Sequence, residues 1–218
     1  MKRPFVIATE ATLISSLLIN LAPSMGGKAA RFAPPNIETA GDIPYPPNVM
    51  AVGVVSLLLS LDSNGQIQNV QAVRDFPSFT SVVPFTPGKL DGNPVPSEIG
   101  VTVIFNPSSP GGPAMQSLAL SSPESIPPDA SQFTPPQITS ASFASYPANS
   151  VAGGTVVLDL TVGKTSQVSR VSVIHGVASL TAPAVSSVKA WGFNAATFRG
   201  KPATSQVIVA FVFQSGTN

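Results

Sequence analysis

The side chains that could carry out catalysis or bind a metal are few in this sequence. It holds one histidine, His175, and no cysteine, which excludes thiol chemistry, cysteine-ligated metals and multi-histidine zinc sites. His175 stands beside a glycine after a predicted strand, which is typical of a surface or loop residue. Asp159 falls on the outward face of a predicted strand without a second carboxylate nearby in sequence, so we expect a solvated side chain rather than a general acid or base.

One short stretch that begins with an aspartate partly matches a metal-binding loop. Asp62-Ser63-Asn64-Gly65 resembles the start of a calcium loop, but the later glutamate that such a loop requires is missing. The same residues fit a hairpin turn. The sequence also contains neither a phosphate-binding glycine loop nor a Gly-x-Ser-x-Gly elbow. We therefore predict no catalytic residue, no metal and no cofactor, and a hydrolase is the least favoured alternative.

The content of hydrophobic and charged residues excludes further classes of protein. Of the 218 residues, 43% are hydrophobic, which is enough for a core and argues against disorder of the whole chain. Only 10% are charged, against about 25% in an ordinary soluble domain. The formal net charge of +1 argues against nucleic acid as a main partner.

The N-terminal residues resemble an export signal. A basic start is followed by the apolar stretch Ala11 to Ala22, which is too short to span a bilayer but fits the core of a secretory signal. We therefore predict a leader over 1–37 and a periplasmic or cell-envelope location. A leader without an address and an uncleaved membrane anchor are the alternatives.

The remaining chain contains an internal repeat. At an offset of 101 residues, matching positions are Tyr45 and Tyr146, Gly53 and Gly154, Val55 and Val156, Leu57 and Leu158, and Leu59 and Leu160. The match resumes at an offset of 108, from Phe85 with Phe193 to Phe105 with Phe213. We interpret this as duplication of one unit, with a first copy over 38–106 and a second over 138–218. The proline- and serine-rich residues 107–137 between them read as a linker.

Each copy has the pattern of a small α+β unit. In the second copy, apolar residues alternate from Val156 to Val162, which predicts a strand with one buried face. The last strand carries Val207, Val209, Phe211 and Phe213 on one face. Leu180, Ala184, Val188 and Trp191 fall on one face of a helix. The predicted order is strand-strand-helix-strand, a three-stranded antiparallel sheet with a helix on one face. The first copy has little room for that helix, because prolines interrupt its connection.

The last strand of the second copy is apolar on both faces, so it should be covered on both sides. We infer that the two units pack on each other or pair in a homodimer. Residues 38–106 hold two basic and six acidic groups, net −4, and residues 137–218 hold five basic and one acidic, net +4. Opposite charges favour docking of the halves, although chance drift of two exposed surfaces explains them equally well.

Several features of the second copy together match one known family. They are Tyr146-Pro147, the alternating run Gly154 to Val162, the strand through Val168, Val171 and Val173, the helix from Leu180 to Val188, Trp191-Gly192-Phe193, Gly200-Lys201-Pro202, and the closing alternation from Val207 to Phe213. In this pattern the second copy resembles the C-terminal domain of TonB, the periplasmic energy transducer, and the first copy resembles it more weakly.

The resemblance implies a function and a site. Members of this family bind a short extended segment of an outer-membrane transporter, which pairs with the exposed edge of the last strand. It implies that the partner-binding edge comprises Ser205, Gln206, Val207, Ile208, Val209, Ala210 and Phe211. The corresponding edge of the first copy is Ser97 to Val103. The alternative is a structural envelope protein whose units dock or dimerise without energy transduction, with these strands already paired.

Overall fold

The computed structural model describes residues 31–43, 53–74, 84–106, 118–119 and 133–215. Within these residues the chain forms seventeen strands and one helix, α1 (Thr181–Val188). The strands are β1 (Phe32–Ala33), β2 (Asn36–Ile37), β3 (Gly53–Leu61), β4 (Ile67–Arg74), β5 (Phe85–Thr86), β6 (Gly88–Leu90), β7 (Asn93–Val95), β8 (Ser97–Asn106), β9 (Leu118–Ala119), β10 (Phe133–Thr134), β11 (Gln137–Ala141), β12 (Gly154–Val162), β13 (Val168–His175), β14 (Gly192–Asn194), β15 (Ala196–Phe198), β16 (Lys201–Ala203) and β17 (Ser205–Phe213). The predicted signal stretch and the first copy's proline-containing connection at 75–83 lie outside the described residues.

Six long strands form one sheet in the order β13-β12-β17-β8-β3-β4. Every neighbouring pair is antiparallel except β17 and β8, which run parallel from the pair Ile208 and Val101 to the pair Phe213 and Asn106. We call this parallel pairing the seam, residues 31–106 the first half and residues 133–215 the second half. The seam joins the three-stranded sheet of one half to that of the other.

The predicted fold class is wrong. The described chain is mostly β with one short helix and several sheets, and it does not form two separate strand-strand-helix-strand units. The physical reason lies in β17, which is apolar on both faces and buries more surface by pairing with β8 at the seam than by lying at the edge of its own sheet. Residues read as turns or connections form short strands instead, including β5 to β7 and β14 to β16.

The strands of the two halves keep the spacing of the sequence match. β3 and β12 begin 101 residues apart, as do β4 and β13, and β8 and β17 begin 108 residues apart. A parallel seam between matching halves is compatible with a translation across the sheet or with an approximate two-fold axis that lies in the sheet along the strands. Only the two-fold axis places matching residues on opposite faces of the sheet.

Matching residues of the two halves are buried on opposite faces of the central sheet. Leu158 and Leu160 of β12 lie in a core on the side of the sheet that carries α1, which we call the helix face. Leu59 and Leu61, which match Leu160 and Val162 at the repeat offset, lie in a second core on the opposite face. Each half therefore supplies a core to a different face of the same sheet, and the strands at the seam are covered on both sides.

Two short segments, which we call the arms, reach from each half onto these cores. The first arm (31–43) contributes Ile37 to the core on the opposite face, and the second arm (133–146) contributes Tyr146 to the core on the helix face. Phe32 of β1 and Phe133 of β10, 101 residues apart, each pair with a hairpin of their own half. The arms include residues 31–37 of the predicted leader and 133–137 of the predicted linker.

The two hairpins held by the arms have the same turn. β6-β7 and β15-β16 are each joined by two residues with positive φ, Asp91-Gly92 (51° and 89°) and Arg199-Gly200 (50° and 71°). Positive φ at both central residues defines a type I′ turn, whose twist suits a hairpin. In the part of the chain that the structure describes, no helix is both long and apolar enough to cross a membrane.

Candidate functional site

The predicted partner-binding segment lies in the middle of the sheet. Residues Ser205 to Phe211 belong to β17, which pairs along its length with β12 on one side and, from Ile208 onward, with β8 on the other. The assumed edge position is therefore wrong, because the backbone groups that should capture a partner are largely used within the chain. Binding of a partner at this segment would require the halves to separate, and it stays a prediction. The segment comprises Ser205, Gln206, Val207, Ile208, Val209, Ala210 and Phe211.

The corresponding segment of the first half is placed in the same way. Ser97 to Val103 lies in β8, between β3 and β17. Residues Ile99 and Val103 are buried, with 1% and 0% of their surface exposed. Both last strands thus form an intramolecular interface, the arrangement that the structural alternative anticipates.

Among the described strands, the two ends of the central sheet are β4 and β13, each paired on one side only. Both are eight residues long, and both pairings contain two register shifts at positions that match at the repeat offset. Each edge also presents an exposed valine, Val70 on β4 (52% exposed) and Val173 on β13 (48%). The accessible backbone for strand addition therefore lies at β4 and β13.

Hydrogen bonds between the halves form near the C-terminal end of each arm. The side chain of Asn106 in the first half donates to the Ala144 carbonyl (2.9 Å) and accepts from the Ala144 N–H (2.8 Å). In return, Thr155 Oγ1 of the second half accepts from the Ile43 N–H (2.8 Å) and donates to the Ile43 carbonyl (3.2 Å). Ile43 and Ala144 match at the repeat offset, so each half holds the other half's arm at an equivalent point.

His175 also contacts the first arm. Its Nε2 lies 3.5 Å from Asp42 Oδ1, and the same oxygen accepts a 3.0 Å hydrogen bond from the Thr155 N–H. His175 ends β13 in the second half and Asp42 lies in the first arm, so this contact also crosses between halves. Sequence reasoning missed it because the partners are 133 residues apart.

Asp159 is buried, which corrects the expectation of a solvated carboxylate. Only 7% of the residue is exposed, and its Oδ1 has no hydrogen-bond partner among the described residues. Burial raises the pKa of Asp159, and the positive charge of Arg170 offsets part of that rise. A signal was present in the sequence, because the matching position of the first copy is Leu58, which is also buried.

Replacing Asp159 with asparagine is expected to stabilise the protein at neutral pH. Because the folded-state pKa is raised, the carboxyl keeps its proton at low pH and destabilises the fold as pH rises through that pKa. At pH 7 we expect Asp159→Asn to increase the unfolding free energy by about 1–2 kcal/mol, the cost of an unpaired buried polar group. Urea titrations from pH 3 to 8, with tetramethylammonium chloride as the only added salt, should show equal stability near pH 3.

Asp62 provides a control, because its pKa is shifted in the opposite direction to that of Asp159. The backbone N–H groups of Gln66 and Asn64 hold the pKa of this carboxyl below its usual value. Its stabilisation is therefore present at neutral pH and lost as pH falls. Asp62→Asn should weaken the fold at pH 7 and converge with wild type in acid. A stability gain confined to low pH in Asp159→Asn would contradict our account of the buried carboxyl.

The predicted structural roles of two other residues agree with the structure. Asp62 closes the β3-β4 hairpin by accepting from Asn64 and Gln66, as a turn residue does. Trp191 is buried, and its Nε1 donates to Ser142 Oγ at 3.2 Å. No group of three or more histidine, cysteine, aspartate or glutamate residues that could hold a metal ion occurs among the residues described.

No family model, no curated protein and no solved structure matches this chain. The resemblance to the TonB C-terminal domain therefore stays a prediction that rests on the residues quoted for it.

Proposed function

We propose that this protein is a non-catalytic protein-binding module that adds an extended segment of a partner protein to the β4 edge of its central sheet. The observation that carries the proposal is the state of this edge, where four consecutive residues, 68–71, are exposed on a strand paired on one side only among the described strands. Exposed edges of this kind are templates for another strand.

The composition of β4 distinguishes it from the opposite edge. From Ile67 to Val73 the strand contains no charged residue and no proline, the two features that proteins commonly use to protect an edge. β13 carries the exposed cation Arg170 in its middle. An added strand would meet a charge at β13 and none over most of β4, so we assign binding to β4.

The register of β4 indicates which segment would fit. Val70 lies opposite Leu59 and shares the face that carries the first half's core, whereas Asn69 and Gln71 lie opposite Ser60 and Leu58 on the helix face. Successive residues of a partner strand would face the same two sides. The matching segment therefore alternates a small apolar residue, beside Val70, with residues that hydrogen-bond to the amides of Asn69 and Gln71.

The location and identity of the partner come from the resemblance alone. Under it, the protein acts in the periplasm or cell envelope, and the partner is a segment of a TonB-dependent outer-membrane transporter. The edge differs from the one that the resemblance implies, because β17 is paired on both sides over most of its length. Proton-motive coupling forms no part of the proposal.

The test uses the full chain and an eight-residue peptide that alternates valine and threonine. We expect the peptide to shift backbone amide signals of residues 67–74 in NMR spectra, because main-chain hydrogen bonds form along β4. A peptide with the same side chains and N-methylated backbone amides should cause no such shifts. Equal shifts with both peptides, or none with either up to millimolar concentration, would overturn the proposal.

Two matched edge variants locate the binding. Val70→Lys introduces a charge that protects the β4 edge, and we expect it to weaken peptide binding at least tenfold. Val173→Lys places the same side chain on the opposite edge and should leave the affinity within twofold of wild type. The reverse pattern would assign binding to β13. Circular dichroism and thermal unfolding of both variants confirm that the sheet is retained.

A second function, a structural protein without a strand-adding partner, is favoured by the seam. The last strands of both halves are paired with each other and largely buried, so the cover that the sequence assigned to docked units or a homodimer is supplied within one chain. Under this alternative no extended peptide binds either edge. The peptide titration therefore separates the two functions directly.

A further inference from the structure

We propose that Asp159 and Gln206, with Thr161 and Ser172 beside them, form a site for one singly charged cation, either an alkali ion or a primary ammonium group. The site is independent of the β4 edge. It lies in the second half, on the face opposite to the helix, and uses side chains from β12, β13 and β17.

The sheet register brings these four residues together. Asp159 lies opposite Ser172 of β13, and Thr161 lies opposite Gln206 of β17. Asp159 and Thr161 are two residues apart on the same strand, so all four side chains share one face. Cross-strand and diagonal neighbours in a sheet are about 4.5–8 Å apart, which is within reach of a shared ligand.

Two oxygens in this group are buried without a donor. Asp159 Oδ1 and Gln206 Oε1 both lack a hydrogen-bond partner among the described residues, and both are inaccessible to solvent. An ionised carboxylate and an amide oxygen can only accept, so neither can satisfy the other. Two unpaired acceptors on adjoining strands are costly, since each buried polar group normally has a partner. A cation or a donor between them removes that cost.

The chemistry of the group favours a single positive charge. The potential ligands are oxygens of a carboxylate, an amide and two hydroxyls, which suit hard cations and ammonium groups rather than thiophilic metals. They carry one negative charge, so a monovalent ion balances it, whereas Ca²⁺ sites use more carboxylates. Burial raises the pKa of Asp159, and the charge of Arg170 offsets only part of that rise. The negative charge of Asp159 is therefore only partly compensated within the chain.

Among the described residues, Arg170 is a cation on the same face of the sheet as this group. It lies opposite Thr161 on β13, and its positive charge lowers the pKa of Asp159. The residue is exposed, and Asp159 Oδ1 has no hydrogen-bond partner among the described residues. Arg170 therefore acts on Asp159 through space and leaves the two buried acceptors without a contact.

The experiment measures thermal unfolding of the full chain at pH 7.5 in chloride salts of equal ionic strength. The cations are Na⁺, K⁺, methylammonium and tetramethylammonium, the last of which has no N–H donor and is too large for a site between strands. Binding to the folded state raises Tm with ligand concentration. We expect a rise of about 2–4 °C for the best cation over tetramethylammonium, and its identity distinguishes an alkali site from an ammonium site.

The variants make the result specific to the site. Asp159→Asn keeps the shape of the side chain, is expected to fold, and should abolish the differences between cations. Gln206→Met should at least halve them. Arg170→Gln should leave them unchanged or larger, because it removes a competing positive charge. The proposal is overturned by equal Tm in all four salts, or by cation-specific differences that persist in Asp159→Asn.

Discussion

Replacing Phe211 with alanine is expected to lower the free energy of unfolding by about 3–5 kcal/mol, the usual cost of removing a large buried aromatic side chain. Phe211 is fully buried in β17, and its ring lies 5.7 Å from that of Trp191 and 6.3 Å from that of Phe213, measured between ring centroids. The residue also stands in the seam, opposite Ile104 of β8. The loss therefore affects the core on the helix face and the junction of the halves together.

Urea unfolding followed by tryptophan fluorescence measures this effect, since Trp191 reports on the same cluster. The midpoint should fall while the slope with urea concentration stays the same if both halves unfold together. Val173→Ala is the control, because Val173 is half exposed on the outer strand. It should change the unfolding free energy by less than about 0.5 kcal/mol. Equal losses in the two variants would contradict the assignment of Phe211 to the core.

Replacing Asn106 with leucine is expected to destabilise the protein by about 2–4 kcal/mol. The residue is fully buried, and its side chain bonds both the N–H and the carbonyl of Ala144 in the other half. Leucine has a similar volume but leaves both of those backbone groups without this partner, and each unpaired buried group costs about 1–3 kcal/mol. The effect is thus electrostatic in origin, in contrast to the cavity that Phe211→Ala creates.

The matched control for this prediction is Gln214→Leu. Gln214 is the position 108 residues after Asn106, but it is exposed. Its replacement should leave the unfolding free energy within about 0.5 kcal/mol of wild type. Hydrogen exchange gives a second measurement, because the Ala144 amide should lose protection in Asn106→Leu before the amides of β12 do. Retained protection at Ala144 would show that the contact between the halves does not depend on Asn106.

The periodic parts of the fold could be predicted from the sequence, and the way in which they join could not. Alternating apolar residues placed β12 and β17 correctly, and the stripe from Leu180 to Trp191 placed α1. Apolar residues on both faces of the last strand also implied cover on both sides. Whether that cover came from a second molecule or from the first half depended on long-range pairing, which periodicity does not encode.

The site was harder to predict because it depended on that pairing. The same last strand lies at the edge of the sheet in an isolated unit and at the centre of the sheet once the seam forms. Its residues are identical in the two cases, so the sequence pattern does not distinguish them. Asp159 was misread for a related reason, since an outward-facing strand position is solvated only when nothing covers it. The arms were missed although Phe32 and Phe133, each followed closely by two prolines, stand at the repeat offset, because their composition resembles a linker.

The parallel seam also determines the direction of the two outer strands. Since β17 and β8 run the same way and each half is otherwise antiparallel, β4 and β13 point in the same direction at opposite ends of the sheet. Strands added outside both edges would be about 34 Å apart. A single polypeptide that paired antiparallel with both would have to cross the sheet and return to its starting end, which needs a connection of about twelve extended residues or more. Two separate chains, or two repeats of one motif with that spacing, could occupy both edges at once.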